Sequence, residues 1–454
     1  MTQAAGLRRT TPTGPGRKPA SGAFAALRVR DYRTYWTTGL VSNIGTAMQG
    51  VALDWLVLTR THSGTAVGLT AGLQFTPVLL FGLWGGVLAD RHDRRALLIG
   101  AQIAYAVQAV LLTVTVLTGH APLWLIYLLS FGLGCAFTVE NPARLSFVSE
   151  LVGGPLIPNA AGLNILSLNV ARLIGPGIAG VLVGVIGSGW VFAVNAVSYL
   201  AVLTGLLTIR PRASFVPVER APWAGSGSAG LRYVAKRPEF LAVFAVFGLV
   251  MTLAVNFPTT FTLFAGRVFD VGTSGLGLMS TALSVGTVAG TLVATRRVRP
   301  RVGRVVVGGV LFGLSEAIAA VMPGYPWFLA LLLPTGFTLM TLNTAVSAYV
   351  QTEVTEAMRG RVMAVYTVIS MGGTPLGAPL TGWISQHAGA RTGLGAGALA
   401  SALATVAVAG WLRRAVRGRA GPPAAAAAAS SGSTSSAPVP APVPVPDRRS
   451  TPHD

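Results

Sequence analysis

Apolar stretches of about twenty residues, each long enough to cross a bilayer, recur along this chain with only short polar breaks between them. Hydrocarbon offers no water to free N–H and C=O groups, so such stretches must close their hydrogen bonds internally, as helices. They are also too long for the strands of a membrane barrel. The pattern predicts helices at about 34–59, 64–89, 96–118, 122–143, 160–186, 189–208, 238–264, 274–295, 303–321, 327–351, 362–385 and 392–412. Composition agrees. Hydrophobic residues are 52% of the 454 and charged residues 11%, against about 25% charged in a soluble domain. A chain this apolar turns much of its surface to lipid.

The net charge of +20 would point to nucleic acid in a soluble protein. Here its placement assigns it to topology instead, and no nucleic-acid partner is expected. Of the 34 Lys and Arg, 30 fall on one side of the predicted helices and three, Arg60, Arg267 and Arg391, on the other. The positive-inside rule then places both termini in the cytoplasm and requires an even number of spans. Arg172 is the remaining one, inside a helix.

The expected architecture is an all-α membrane protein of twelve transmembrane helices in two six-helix halves. Its parts are an N-terminal tail (1–33), a first half (34–208), a central loop (209–237), a second half (238–415) and a low-complexity tail (416–454) expected to be disordered. Within the central loop, 227–237 reads either as a short helix on the inner membrane surface, with basic residues for anionic headgroups, or as a solvated connector. No cleavable signal peptide is recognised, so the first helix would direct insertion. The single cysteine, Cys135, lies in an apolar run and cannot form an intrachain disulfide. No metal-ligand cluster, cofactor motif or Walker A sequence is present, and no enzyme constellation stands out. A weak internal repeat, Asn141–Val148 against Asn343–Val350, closes the fourth helix of each half. Parallel repeats of this kind are a transporter design.

A few polar residues interrupt the apolar runs. Asp54 lies in the outer third of helix 1, where a charge costs about 2.5–3.5 kcal/mol on insertion scales. Ser42, Thr46, Gln49, Gly50 and Asp54 share one helical stripe, as expected of a cavity-lining helix. Asp54 reads either as a proton carrier coupled to substrate or as a structural acid bonded to a neighbouring element. Glu140 and Arg144 stand at pairing distance on helix 4. Arg172 reads as a structural group bonding carbonyls or as a binder of anionic substrate. Glu316 reads as a snorkelling or loop-facing acid on a peripheral helix. Asn256 in helix 7, and Thr338, Thr341 and Asn343 in helix 10, read as cavity lining or as ordinary interhelical hydrogen bonding. Gly175, Pro176 and Gly180 permit close packing and a bend in helix 5.

The loop after helix 2, Gly86-Val-Leu-Ala-Asp90-Arg91-His-Asp93-Arg94-Arg95, resembles the G-x-L-A-D-R-x-G-R-R signature of the major facilitator superfamily. Asp93 stands where that pattern has Gly. Further stretches are similar to its enterobactin-exporter-like and drug-efflux-like branch: 45–58, Glu140-Asn-Pro-Ala-Arg144, Asn169-Val-Ala-Arg172-Leu-Ile-Gly175-Pro176 and Arg359-Gly-Arg361-Val-Met. The resemblance covers roughly residues 30–415. It implies alternating access between two halves in a bacterial inner membrane, as a monomer, with proton-driven export of a small amphipathic molecule. It makes Gly86, Asp90, Arg91, Arg94 and Arg95 a conformational latch against helix 11, and Glu140, Arg144, Arg359 and Arg361 a cytoplasmic charge network. The stretch Trp124–Thr138 has no basic residue, so the helix-4 arginine of many proton-coupled exporters is missing. Two other readings stand beside export: import of a small solute on the same fold, and a non-transporting membrane scaffold.

Overall fold

The computed structural model describes residues 22–209, 226–294 and 301–419. Most of both tails, half of the central loop, Arg296, Arg297 and Arg299, and the side chain of Asp90 fall outside that description. All regular structure among the described residues is helical. The helices are α1 (Arg30–Thr61), α2 (Gly64–Arg91), α3 (Arg94–Leu117), α4 (Leu123–Val152), α5 (Ile157–Ile186), α6 (Ser188–Thr208), α7 (Ser226–Ala235), α8 (Pro238–Leu253), α9 (Phe257–Leu263), α10 (Gly272–Ala294), α11 (Val302–Ala320), α12 (Tyr325–Glu353), α13 (Glu356–Gly372), α14 (Thr374–Ala388) and α15 (Ala390–Arg419).

Ten helical segments among the described residues are long and apolar enough to cross a membrane, and α8, α9 and a following π turn form one of them. Two more helical paths lie beside them. α1 has 32 residues but carries charges at both ends and Asp54 within. α13 and α14 together form the other path, broken at Gly373. Twelve crossings are consistent with this arrangement. Both breaks have a proline cause: Pro258 and Pro375 stand in the first turns of α9 and α14, where proline is tolerated but cannot continue a preceding helix.

We call the end of the bundle holding the start of α1 and the close of α15 the tail end, and the other the far end. α1 packs on α5 and α6, α2 on α4, and α3 on α4 and α6; α10 packs on α12, and α11 on α12 and α15. Two seams join these groups, α2 with α14 and α5 with α10. Both depend on glycine. A Cβ on Gly68 would stand 2.2 Å from the Ala378 carbonyl oxygen, and one on Gly382 2.3 Å from that of Gly64. At the second seam, a Cβ on Gly180 would stand 2.5 Å from the Thr273 carbonyl oxygen, and one on Gly277 2.4 Å from that of Pro176. Small residues let helix backbones approach this closely.

Pro176 supplies no N–H to the Arg172 carbonyl four residues before it. The hydroxyl of Ser284 on α10 donates there instead, at 3.0 Å. Thr281 donates to the Leu173 carbonyl at 3.1 Å and Thr273 to that of Gly180 at 2.7 Å. The carbonyls around Pro176 are thus satisfied from across the seam.

Three sequence expectations change. α15 runs on through Arg419, past the boundary set at 415. The short helix in the central loop exists, but it packs on α13 and α8; a Cβ on Gly230 would stand 2.7 Å from the Arg361 carbonyl oxygen. Glu316 is neither snorkelling nor loop-facing: it is 1% exposed. α11 is peripheral, with Val307, Leu311, Leu314 and Ile318 exposed on its outer face, but Glu316 lies on the opposite, inward face. Gly309 and Gly313 seat that face tightly against Thr405, Ala398 and Ala402 of α15.

Candidate substrate cavity

A cavity of about 370 Å³ lies within the first six helices. On α1 it is lined by Tyr32, Tyr35, Trp36, Ser42, Asn43 and Thr46, so it runs some fourteen residues, about 21 Å, along that helix. Beyond Thr46 the helix closes: Ala52, Leu53, Leu56 and Val57 are all buried. The cavity is therefore sealed towards the far end. Among the described residues of α8–α15, only Met371 of α13 reaches it.

Its polar wall is a network. Arg144 and Glu140 form an ion pair, and the Tyr105 hydroxyl donates to the second carboxylate oxygen at 3.0 Å. Glu140 is 3% exposed, so its charge is tolerated because both oxygens are bonded. Asn43 donates to the Ser167 hydroxyl at 3.0 Å, and the Thr46 and Tyr199 hydroxyls share a hydrogen bond of 2.9 Å. Arg172 lines the cavity from α5 and is exposed. Phenols, amides, hydroxyls, two arginines and the Glu140 carboxylate interrupt an apolar wall, which suits a compound with both apolar and polar groups.

The remaining sequence candidates are spread more widely. Gln49 sits beyond the cavity, donating to Gln108 at 2.9 Å and accepting from Asn195 at 2.8 Å. Asp54 is half-buried in the closed far half of α1 and has no hydrogen bond or ion pair among the described residues. Asn256 donates to the Thr252 carbonyl, Thr338 and Thr341 to carbonyls of their own helix, and Asn343 accepts from the Tyr366 hydroxyl; none lines this cavity. Gly175 lets α5 approach α1, where a Cβ would stand 2.7 Å from that of Ala47.

At the tail end Asp93 caps α3, accepting from the Arg95 N–H at 2.9 Å. This accounts for the departure from the signature glycine: the turn needs a cap, and at φ −58° it has no use for left-handed backbone. Arg95 donates to the Leu206 and Leu207 carbonyls at the close of α6, and Arg94 pairs with Glu150. Arg91, Arg359 and Arg361 are exposed, so Glu140 and Arg144 meet each other but not the α13 arginines. Gly86 has open space around it.

Sequence reasoning missed much of the lining: Gln102, Tyr105, Asn164, Ser167 and Tyr199. The signal was available. Gln102 and Tyr105 on α3, and Asn164 and Ser167 on α5, are polar pairs three residues apart on one helix face.

The far seal is made of helix ends and backbone. Arg267 donates to the His62 carbonyl at the close of α1, and the Gln386 side chain accepts from the Gly64 N–H at 2.7 Å. These contacts place a cation on a helix C-terminus and an acceptor on an N-terminus, as the helix dipole favours.

An all-helical bundle with two glycine seams and an internal cavity closed at the far end is that of a major facilitator transporter. The chain belongs to the transmembrane secretion effector family, whose family model matches residues 21–424. It is 23% identical over 349 residues to the staphyloferrin A transporter of Staphylococcus aureus, covering 76% of this chain and 87% of that one. It is 25% identical over 385 residues to the enterobactin exporter EntS of Citrobacter koseri, covering 84% and 88%. Among solved structures it is similar to a bacterial homolog of the human lysosomal transporter Spinster in an inward-facing, unoccupied conformation. The TM-score is 0.68 at 16% identity, with 86% and 97% covered. A POT family transporter in complex with 5-aminolevulinic acid matches with a TM-score of 0.70 at 11% identity, covering 87% and 98%. The chain is thus a multi-pass membrane protein of a bacterial transporter family, and the families it matches are transporters, not enzymes.

Proposed function

We propose that this protein exports a small amphipathic compound, of the siderophore, drug or secondary-metabolite class, from the cytoplasm in exchange for protons. The observation that carries the reading is the cavity in the first six helices, sealed at the far end and walled by Arg144, Arg172 and phenols. A cavity of about 370 Å³ suits a drug-sized ligand. The two relatives named for staphyloferrin A and enterobactin make a siderophore-like substrate the first to test. The 30-to-3 split of basic residues supports a cytoplasmic tail end, with both termini inside. The substrate then enters from the cytoplasm in the state described and leaves when the far seal opens. The protein works as a monomer, without nucleic acid, in the inner membrane.

Asp54 is the proposed proton carrier of the first half. An acid within a membrane helix is a functional candidate because its placement there is costly, and the far half of α1 is the part that must open. The signature loop acts as a latch: Asp90, Arg91, Arg94 and Arg95 would meet the start of α13 when the tail end closes. The exposure of Arg359 and Arg361 agrees with a latch released in this state. The six-and-six domain division follows the same logic, each half moving as a unit about the glycine seams.

The test is a substrate panel, siderophores included, in everted vesicles from a strain lacking its own pumps. Export predicts accumulation that a protonophore abolishes and that Asp54→Asn uncouples. Accumulation by right-side-out vesicles alone would instead establish import on the same fold. Full proton-dependent accumulation by Asp54→Asn would remove that residue from the mechanism.

A further inference from the structure

Among the described residues, buried side-chain oxygens of the second six helices stand without a partner at three positions. They are both carboxyl oxygens of Glu316, Oδ1 of Asn256 and Oγ1 of Thr259. Asn256 and Thr259 belong to the broken span between α8 and α9. Glu316 follows Phe312 by one turn and Gly313 by three residues, so the three share a helix face. That face meets the Phe257 ring, at 6.3 Å between ring centroids, and Ala398 and Ala402 of α15. α15 in turn closes on the break itself: a Cβ on Gly397 would stand 2.2 Å from the Leu253 carbonyl oxygen. Apart from Asn256 and Thr259 the junction is largely apolar, with Phe312, Phe257, Ala254 and Leu394 all in one buried cluster.

The charges on the surrounding elements are engaged or distant. Arg391 of α15 donates to the Ala320 and Met322 carbonyls, at 3.2 and 2.6 Å, and its guanidinium lies over the Phe269 ring. Arg267 bonds the His62 carbonyl. Tyr325 donates to the Gly275 carbonyl, and Asp270 is exposed ahead of α10. Arg304, Glu239, Glu353, Arg413 and Arg414 belong to the tail-end turns of α11, α8, α12 and α15. An ionised carboxylate at 316 would thus be buried with neither donor nor cation, the costliest way to place a charge. A proton neutralises it with no further ligand.

We propose that Glu316 is a proton-binding site of the second half, a neutral carboxylic acid while the far end is closed. The carboxylate takes one proton from a hydronium ion, leaving water, when the broken span and α15 part, and carries it while the far end is closed; no other bond forms or breaks. That transport role rests on the coupled-transporter reading above, whereas the protonation does not.

Infrared spectroscopy on the full chain in phosphatidylcholine–phosphatidylglycerol vesicles at neutral pH reads the proton directly, without any substrate. The expected result is the C=O stretch of one protonated carboxylic acid per chain in the difference between wild type and Glu316→Gln. It shifts in heavy water and persists in Asp54→Asn. Glu316→Asp carries the same measurement should the glutamine variant not fold, because its acid band moves while those of other carboxyls stay. Absence of the band, or no movement in the aspartate variant, overturns the proposal. So does loss of the band when sodium replaces choline at constant pH, which would make the junction a metal-cation site. A chain that keeps the band but transports independently of protons would retain the site and lose the coupled reading.

Discussion

Gly68→Ala tests whether the α2–α14 seam sets the balance between the two access states. The added Cβ would stand 2.8 Å from the Ala378 carbonyl carbon and 2.2 Å from its oxygen, the latter more than 1 Å short of ordinary contact at about 3.5 Å. Both obstacles are backbone, so no side chain can swing aside; the helices must part. Overpacking of this size costs about 1–3 kcal/mol, and it falls on the closed seam alone. The gain in helix propensity, about 1 kcal/mol for Gly to Ala, is common to both states and cancels. The equilibrium therefore shifts about 5- to 150-fold towards the state with the far end open. Spin labels at His120 and His387, both exposed at the far end, report it by double electron–electron resonance in a Cys135→Ser background. The distance distribution should gain a longer component in Gly68→Ala. Gly132→Ala, on a glycine with nothing within 4 Å, should not change it. An unchanged distribution in Gly68→Ala would refute the idea that backbone contact holds the seam.

Removing half of the cavity ion pair, Glu140→Gln, leaves Arg144 uncompensated and should lower stability by about 3 kcal/mol, read by thermal unfolding in detergent; Glu140→Gln with Arg144→Met should recover most of it. Ser284→Ala strips the replacement donor from the Arg172 carbonyl and should cost about 0.5–1.5 kcal/mol. In a Pro176→Ala background, where the backbone N–H returns, the same change should cost measurably less, giving a coupling of about 1 kcal/mol in a double-mutant cycle. Arg267→Ala with Gln386→Ala should lengthen the far-end spin-label distances in the same direction as Gly68→Ala, by freeing the helix ends at His62 and Gly64.

The helices and the signature loop were legible because they are local. Twenty apolar residues declare a crossing by themselves, and Asp93 is a capping residue wherever it precedes a helix. The breaks at Asn256 and Gly373 were harder to read. Pro258 and Pro375 marked them, but Pro77, Pro142 and Pro334 lie inside unbroken helices, so proline alone does not distinguish a break from a bend. The polar stripe on α1 divided for a tertiary reason. Ser42 and Thr46 face the cavity, while Gln49, on the same stripe, is bonded by Gln108 and Asn195, 59 and 146 residues along the chain. Those partners cannot be inferred from α1. Glu316 was misread because its burial depends on glycines of its own helix meeting α15, a contact that hydropathy does not record.

The glycine seam at the far end has a consequence for what can drive it. Peptide groups meet there across Gly64, Gly68, Ala378 and Gly382, so parting them carries no charged side chain through the hydrocarbon layer. The membrane potential, worth about 2.3 kcal/mol per elementary charge per 100 mV, does no work on the seam itself. Voltage acts on this transporter only through what it carries and through its few buried ionisable groups, and salt, which screens ion pairs between exposed charges, has little there to weaken. The glycine seam is thus a mechanical closure, and the electrical sensitivity of the cycle belongs to its cargo and to those buried groups.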